Sequence, residues 1–311
     1  MTDPRANPTR DTLVIVRTVG ERTTDACLRA ARPQVTPRNL RVLSVRPFSL
    51  SVVQGFRTAA RERPEWVFTV DADTILVHDA IARLRSLCDH AEPEVFHVQG
   101  LLLCRVHGGA HPRGFHAFRG SMLEEVLGHL DAVEHASHPE TSVIGRMEAA
   151  GHPSRCYAEV LGIHDFEQRF SDLFLKLRRR ARLAGDLERL RSRLRSLTDL
   201  HDDFRAASWG LEDGLRFPDS PDDEALARFE ALCIGAEFSD RGAAAIDDPA
   251  ALAAKIIDGQ RPGALDSTHA DFAFSGDPRR WALTPLAKVD PKSPSRESPW
   301  MAPDASRSVV A

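Results

Sequence analysis

Three apolar runs separated by helical patterns fill the first 90 residues, and they leave few folds open to the chain. Residues 12–16 (Thr-Leu-Val-Ile-Val), 40–45 and 66–70 are short and rich in β-branched or aromatic side chains, as buried strands are. Helical spacing over 24–31 and 49–63 connects them, with Val53, Phe56 and Ala60 on one face of the second helix. A third helix follows over 79–91, with Asp79 at its N-cap position. Strands joined through helices pair in parallel, because a crossover returns the chain to the end of the sheet where the previous strand began. This order predicts an α/β fold with an open, mainly parallel sheet flanked by helices.

The strand pattern continues through 94–104, 115–119 and 157–163, with helices expected over 121–130 and 140–150. From Phe166 the character changes. Residues 167–207 hold few helix breakers, and Leu187, Leu190, Leu194, Leu197 and Phe204 recur at the three-and-four spacing of a paired helix. Shorter helical patterns cover 222–232 and 249–257, and Pro and Ser accumulate after Pro285. The expected organisation is a short N-terminal segment at 1–10, a catalytic domain at 11–165, a mostly helical C-terminal extension at 166–284 and a tail at 285–311.

A net charge of −4 exerts no general pull on nucleic acid, and no stretch approaches the roughly 18 apolar residues of a membrane span. The first residues are polar and lack a signal-peptide core, which predicts a cytoplasmic protein. Five cysteines occur without a Cys-X-X-Cys pair, which argues against a disulfide framework and against zinc held by paired thiolates. Residues 176–195 carry nine basic and two acidic side chains. A solvated helix face is the common outcome of such a run. Contact with an anionic membrane surface at the inner face is a second reading, and helix-mediated assembly a third for the leucine seam.

The chemistry concentrates where the third strand ends. Residues 67–74 read Val-Phe-Thr-Val-Asp-Ala-Asp-Thr, so an apolar run finishes in Asp71 and Asp73. Unpaired acids at a core edge cost free energy, and i,i+2 side chains of an extended strand share a face, so both carboxylates could converge on one hard cation. Strand-end Asp also serves in turns and helix caps. Ligands of open α/β sheets bind beyond the carboxyl ends of the strands, where Arg17 and Thr18 also fall. His164 follows the last predicted strand, in Gly162-Ile163-His164-Asp165, and imidazole is an acceptable ligand for Mn²⁺.

Arg17-Thr18, Asp71-Ala72-Asp73 and Gly162-Ile163-His164, in that order, resemble the GT-A-fold glycosyltransferases, family 2 in particular. The likeness covers about residues 11–170. It implies a GT-A-like sheet, a nucleotide-sugar donor, and Mn²⁺ or Mg²⁺ held by Asp71, Asp73 and His164. Arg17 and Thr18 would border the nucleotide. In place of the family's acids after the second strand the chain has Ser44-Val45-Arg46-Pro47, so Arg46, Gln54 and Arg57 are the candidates for the base end. The resemblance further implies a general base at the start of a helix, where Glu140 stands, with Asp131 and Glu134 as rivals. The expected reaction is sugar transfer to an acceptor hydroxyl of a saccharide, lipid-linked or protein acceptor, with inversion. The competing readings are a non-catalytic GT-A-like protein that binds nucleotides or partners, and a metal-dependent phosphohydrolase.

Overall fold

The computed structural model describes residues 11–134, 136, 139–182, 187–199, 201–240, 242–243 and 245–260. They fall into two compact units, one of residues 11–168 with 242–260 and one of residues 169–240.

The first unit is built on a sheet of eight strands: β1 Thr12–Thr18, β2 Leu40–Ser44, β3 Trp66–Asp71, β4 Thr74–Leu76, β5 His97–Cys104, β6 Ala110–His111, β7 Phe115–Arg119 and β8 Ser154–His164. Their order is β2-β1-β3-β7-β5-β8-β4, with β6 paired to β5. The predicted crossovers hold for β2-β1-β3, which are parallel. Beyond β3 the sheet is mixed rather than mainly parallel, since β7 runs antiparallel to both β3 and β5. The ten residues between β5 and β7 leave no room for a crossover helix, so the chain must double back. Strands β4 and β6, of three and two residues, were too short to leave a periodic signal.

Alternation along each strand sorts the core onto two faces. Val14, Val16, Phe68 and Val70 look one way, towards α1 (Thr24–Ala31), α3 (Ala80–Asp89) and α11 (Pro249–Gly259). Leu13, Ile15, Val67 and Phe118 look the other way, towards α2 (Phe48–Glu62), α4 (Leu123–Leu127), α5 (Leu130–Glu134) and α6 (Pro139–Ala149). The single helix expected over 121–130 is instead a 3₁₀ turn followed by α4 and α5, with the weak helix former Gly128 at the break. Asp79 occupies the N-cap position of α3, but its carboxylate accepts from Arg83 Nη1 at 3.3 Å rather than capping the backbone.

In the second unit, the long helical stretch expected over 167–207 is divided into α7 (Phe170–Arg180), α8 (Leu187–Leu197) and α9 (Asp202–Arg216), followed by α10 (Asp222–Gly235). His201 marks one break, accepting at Nδ1 from the amide of Asp203 as the cap of α9. Leu190, Leu194 and Phe204 of the leucine seam are buried inside the unit, and Leu187 and Leu197 are half-buried. Much of the basic run is likewise answered internally. Arg178 is fully buried against Asp213 and Asp222, and Arg191 and Arg195 pair with Glu212. Among the described residues, no helix is long and apolar enough to cross a membrane.

Candidate functional site

Two polar clusters form at the carboxyl ends of β1 and β3 and at the neighbouring ends of β4 and β8. The first crowns the sheet face that carries Leu13, Ile15 and Val67. Continuing the same alternation puts Arg17, Thr69, Asp71 and His116 on that face. Arg17 and Asp71 are direct partners in the parallel register of β1 and β3. Arg17 Nη2 donates to Asp71 Oδ1 at 2.6 Å and to Glu140 Oε1 at 2.5 Å. Its guanidinium also lies over the Phe48 ring, 5.0 Å from the centroid. Glu140 arrives from the first turn of α6, whose Val143 and Met147 pack into the same core. A carboxylate there is favoured by the helix dipole as well as by Arg17.

Behind Glu140 stand two buried imidazoles. His116 Nε2 is 3.7 Å from Glu140 Oε1, and His97 Nε2 meets His116 Nδ1 at 3.1 Å. Sheet register supplies this arrangement, because β7 places His116 opposite Thr69 on one side and Gln99 on the other. Burial lowers the pKa of both histidines, His97 well below its usual value, with His116 adding to the effect. Both are therefore neutral at pH 7.

The electrostatics of Arg17 and its two acids follow from sharing. Burial opposes the charge on Arg17, but Asp71 and Glu140 more than offset it and its pKa is raised. Burial also opposes the charge on Glu140. Arg17 outweighs it by charge and by hydrogen bond, and the carboxyl is held below its ordinary value. Asp71 is pushed up to about 7, chiefly by burial and further by Glu140 and Asp73, despite Arg17. One guanidinium thus serves two carboxylates, and Asp71 is the one that takes a proton more readily.

The second cluster depends on a close approach of backbones. In the β4–β8 register Thr74 faces His164 and Leu76 faces Gly162. A Cβ on Gly162 would lie 2.5 Å from the Ile75 carbonyl oxygen, so glycine is what lets β4 sit against β8 here. That contact brings Asp73 Oδ1 to 3.3 Å from His164 Nε2. The other ring nitrogen, Nδ1, lies 2.9 Å from Asp165 Oδ2. Asp165 holds a left-handed backbone (φ 62°), and its amide donates to the Asp73 carbonyl at 3.0 Å. The two carboxylates thus flank the ring, Asp73 at Nε2 and Asp165 at Nδ1. Asp73, His164 and Asp165 offer nitrogen and oxygen ligand atoms all within 4.8 Å of one another, a group able to hold a metal ion.

The paired aspartates therefore part company. Strand β3 ends at Asp71, and Ala72 donates its amide to the Arg17 carbonyl while Thr23 Oγ1 donates to the Ala72 carbonyl. The chain turns there, so the same-face rule for i,i+2 lapses before Asp73. Asp71 faces Arg17, and Asp73 faces His164. Thr18 closes the loop after β1, donating to Glu21 Oε2 at 2.7 Å and accepting from the Gly20 amide at 3.0 Å.

The other sequence candidates lie further off. Arg46 donates to the Val19 carbonyl from an exposed position. Gln54 is half-buried, roughly 9 Å along the α2 axis from Phe48 at 1.5 Å per residue. Arg57 is exposed further along and shares a surface depression with Arg61, Arg63, Glu124 and Leu127. Asp131 is exposed and Glu134 half-buried in α5, and of the three acids considered as base it is Glu140 that joins Arg17. Glu21, His97, His116 and Asp165 were not singled out for the site, although Asp165 adjoins His164 and both His97 and His116 belong to the ten histidines between His90 and His164.

No protein-family model matches the sequence, and no curated protein matches it significantly. Solved structures with a similar course of chain include a mannosyltransferase from Pyrobaculum calidifontis in complex with GDP-Man and Mn²⁺ (16% identity, 73% of this chain and 82% of that one, TM-score 0.38). Another is a glycosyltransferase involved in glycosylation of the major capsid of PBCV-1 (12% identity, 50% and 95%, TM-score 0.36). A third is a cytidylyltransferase from Leptospira borgpetersenii serovar Hardjo-bovis (12% identity, 62% and 95%, TM-score 0.31).

Proposed function

We propose that this protein is a metal-dependent glycosyltransferase that moves a sugar from a nucleotide-diphosphate donor to an acceptor hydroxyl with inversion. The observation that carries the reading is the Asp73–His164–Asp165 group beside Asp71, Arg17 and Glu140, at the strand ends where open α/β sheets bind ligands. Asp73 and His164 would hold the cation, with Asp165 beside the imidazole. Bound there, Mn²⁺ or Mg²⁺ would neutralise the charge that develops on the departing diphosphate.

The rest falls to the chain's own groups. Arg17 and Thr18 border the diphosphate side, and Asp71 lies between the cation site and Arg17. Glu140 is the general base. Arg17 keeps it ionised and so able to accept the acceptor's hydroxyl proton. The acceptor oxygen then bonds to the sugar carbon as the bond to the diphosphate breaks. Buried neutral imidazoles at His116 and His97 line the far side of Glu140 and exclude water from it.

Calorimetric titration with GDP and UDP, with and without Mn²⁺, tests the donor site. Metal-dependent nucleotide binding that disappears in Asp73→Asn is the expected result, and its survival in that variant removes the assignment. Glu140→Gln should keep nucleotide binding and lose about 10²–10⁴-fold in transfer. Nucleotide binding without transfer to any hydroxyl acceptor would favour the non-catalytic reading. Turnover by water alone would favour hydrolysis.

A further inference from the structure

We propose that Cys104, His107 and Asp165 form a second cation site, distinct in chemistry from the first and suited to Zn²⁺. Strand β5 ends at Cys104, and the chain folds back through Gly108 and Gly109, both with positive φ (65° and 87°), while the Cys104 amide donates to the Gly109 carbonyl. This turn returns His107 to Cys104, with Nδ1 3.4 Å from Sγ. Asp165, at the end of β8, presents Oδ2 3.6 Å from the same sulfur. Strands β5 and β8 are parallel neighbours with Cys104 paired to His164, so the sheet register delivers the carboxylate.

Donor type and spacing both point to zinc. Thiolate, imidazole and carboxylate are all zinc ligands, whereas a thiolate is a poor ligand for Mg²⁺. Zinc bonds of about 2.3 Å to sulfur and 2.0 Å to nitrogen or oxygen in a tetrahedron set sulfur-to-ligand edges of about 3.5 Å. The distances from Sγ, 3.4 and 3.6 Å, are close to such edges. The three ligand atoms all lie within 4.8 Å of one another. Cys104 and Asp165 are buried and His107 is half-buried, which gives the ion a path from solvent. Binding replaces the thiol proton, which leaves to solvent as the sulfur–metal bond forms.

The consequence lies in Asp165, whose Oδ2 also faces His164 Nδ1. Zinc on Cys104 and His107 would fix that carboxylate, and through it the imidazole that turns towards Asp73. Cys104, His107 and Asp165 thus act as positioning residues behind the first cation site. A search for paired cysteines cannot find such a site, because it uses a single thiolate.

Cobalt(II) is a direct probe. Titration of the metal-free full chain under reducing conditions should develop a near-ultraviolet thiolate-to-cobalt band that saturates at about one equivalent and is bleached by Zn²⁺. Cys104→Ser should abolish the band, and His107→Ala should weaken Co²⁺ binding at least about tenfold. Asp73→Asn should leave the band in place, so loss of the nucleotide site and loss of this one are told apart. Absence of the band in the wild type, or its persistence in Cys104→Ser, overturns the proposal. If Cys104→Ser does not fold, an unchanged cobalt affinity in His107→Ala, a half-exposed turn position, overturns it equally.

Discussion

Replacing Arg17 by methionine is the sharpest test of how the Arg17 cluster is held. The side chain is 1% exposed and donates to two carboxylates that are themselves only 18% and 13% exposed. Methionine fills a similar volume and leaves Asp71 and Glu140 facing one another without a cation. Removing one member of a buried ion pair typically costs about 3–5 kcal/mol, because the remaining charge is left uncompensated. The residual exposure of the carboxylates favours the lower end of that range. For a domain of this size the cost corresponds to a fall in Tm of roughly 6–20 °C.

The loss should also depend on pH in a defined sense. Without Arg17, both carboxyls have folded-state pKa values above their unfolded values, so they contribute stability at low pH that is lost as pH rises. The variant should therefore be most impaired at neutral pH and recover as the pH falls towards about 5. Arg17→Met combined with Asp71→Asn and Glu140→Gln should regain most of the loss, since no buried charge remains. Hydrogen exchange of the β1 and β3 amides in metal-free buffer reads the effect within the sheet unit. A variant that exchanges like the wild type at pH 7, or a triple variant no better than the single one, would refute the account of the cluster.

Other consequences concern packing and pH. A Cβ at Gly210 would fall 2.1 Å from the Phe174 carbonyl oxygen, so Gly210→Ala should force α7 and α9 apart at about 1–3 kcal/mol, seen as faster exchange in both helices. Gly145→Ala, in α6 with open space around it, should be neutral or stabilise by up to about 1 kcal/mol in the same assay. Burial opposes the charge of Asp213, but hydrogen bonds from Arg228 and Arg178 outweigh it and hold its carboxyl below the usual range. Its contribution is present above the unfolded value of about 3.9 and is lost as pH falls through the lower folded value. Asp213→Asn should therefore destabilise the helical unit at neutral pH by about 2–3 kcal/mol and converge with the wild type in acid, as followed by circular dichroism. Thr23→Val removes the donor to the Ala72 carbonyl and should cost about 1–2 kcal/mol in thermal unfolding, loosening the backbone between Asp71 and Asp73.

Local pattern determined the first half of the sheet. Apolar runs, intervening helical periods and the acids at the end of the third run specify β2-β1-β3 and the end where charge collects, because neighbouring residues alone decide alternation and helical spacing. The same letters placed Asp73 and His164 at strand ends. What they could not decide is who faces whom. The pairing of Arg17 with Asp71 is a matter of register between strands 54 positions apart, and Glu140 reaches Arg17 from another 69 positions on. His116 and His97 become one buried pair only because β7 lies between β3 and β5. Asp165 and Cys104 meet only because β5 and β8 are neighbours in the sheet. Sequence fixes the local backbone preferences through short-range sterics and hydrophobicity. The long-range pairing of strands, set by the whole core at once, chooses which carboxylate meets arginine and which meets histidine.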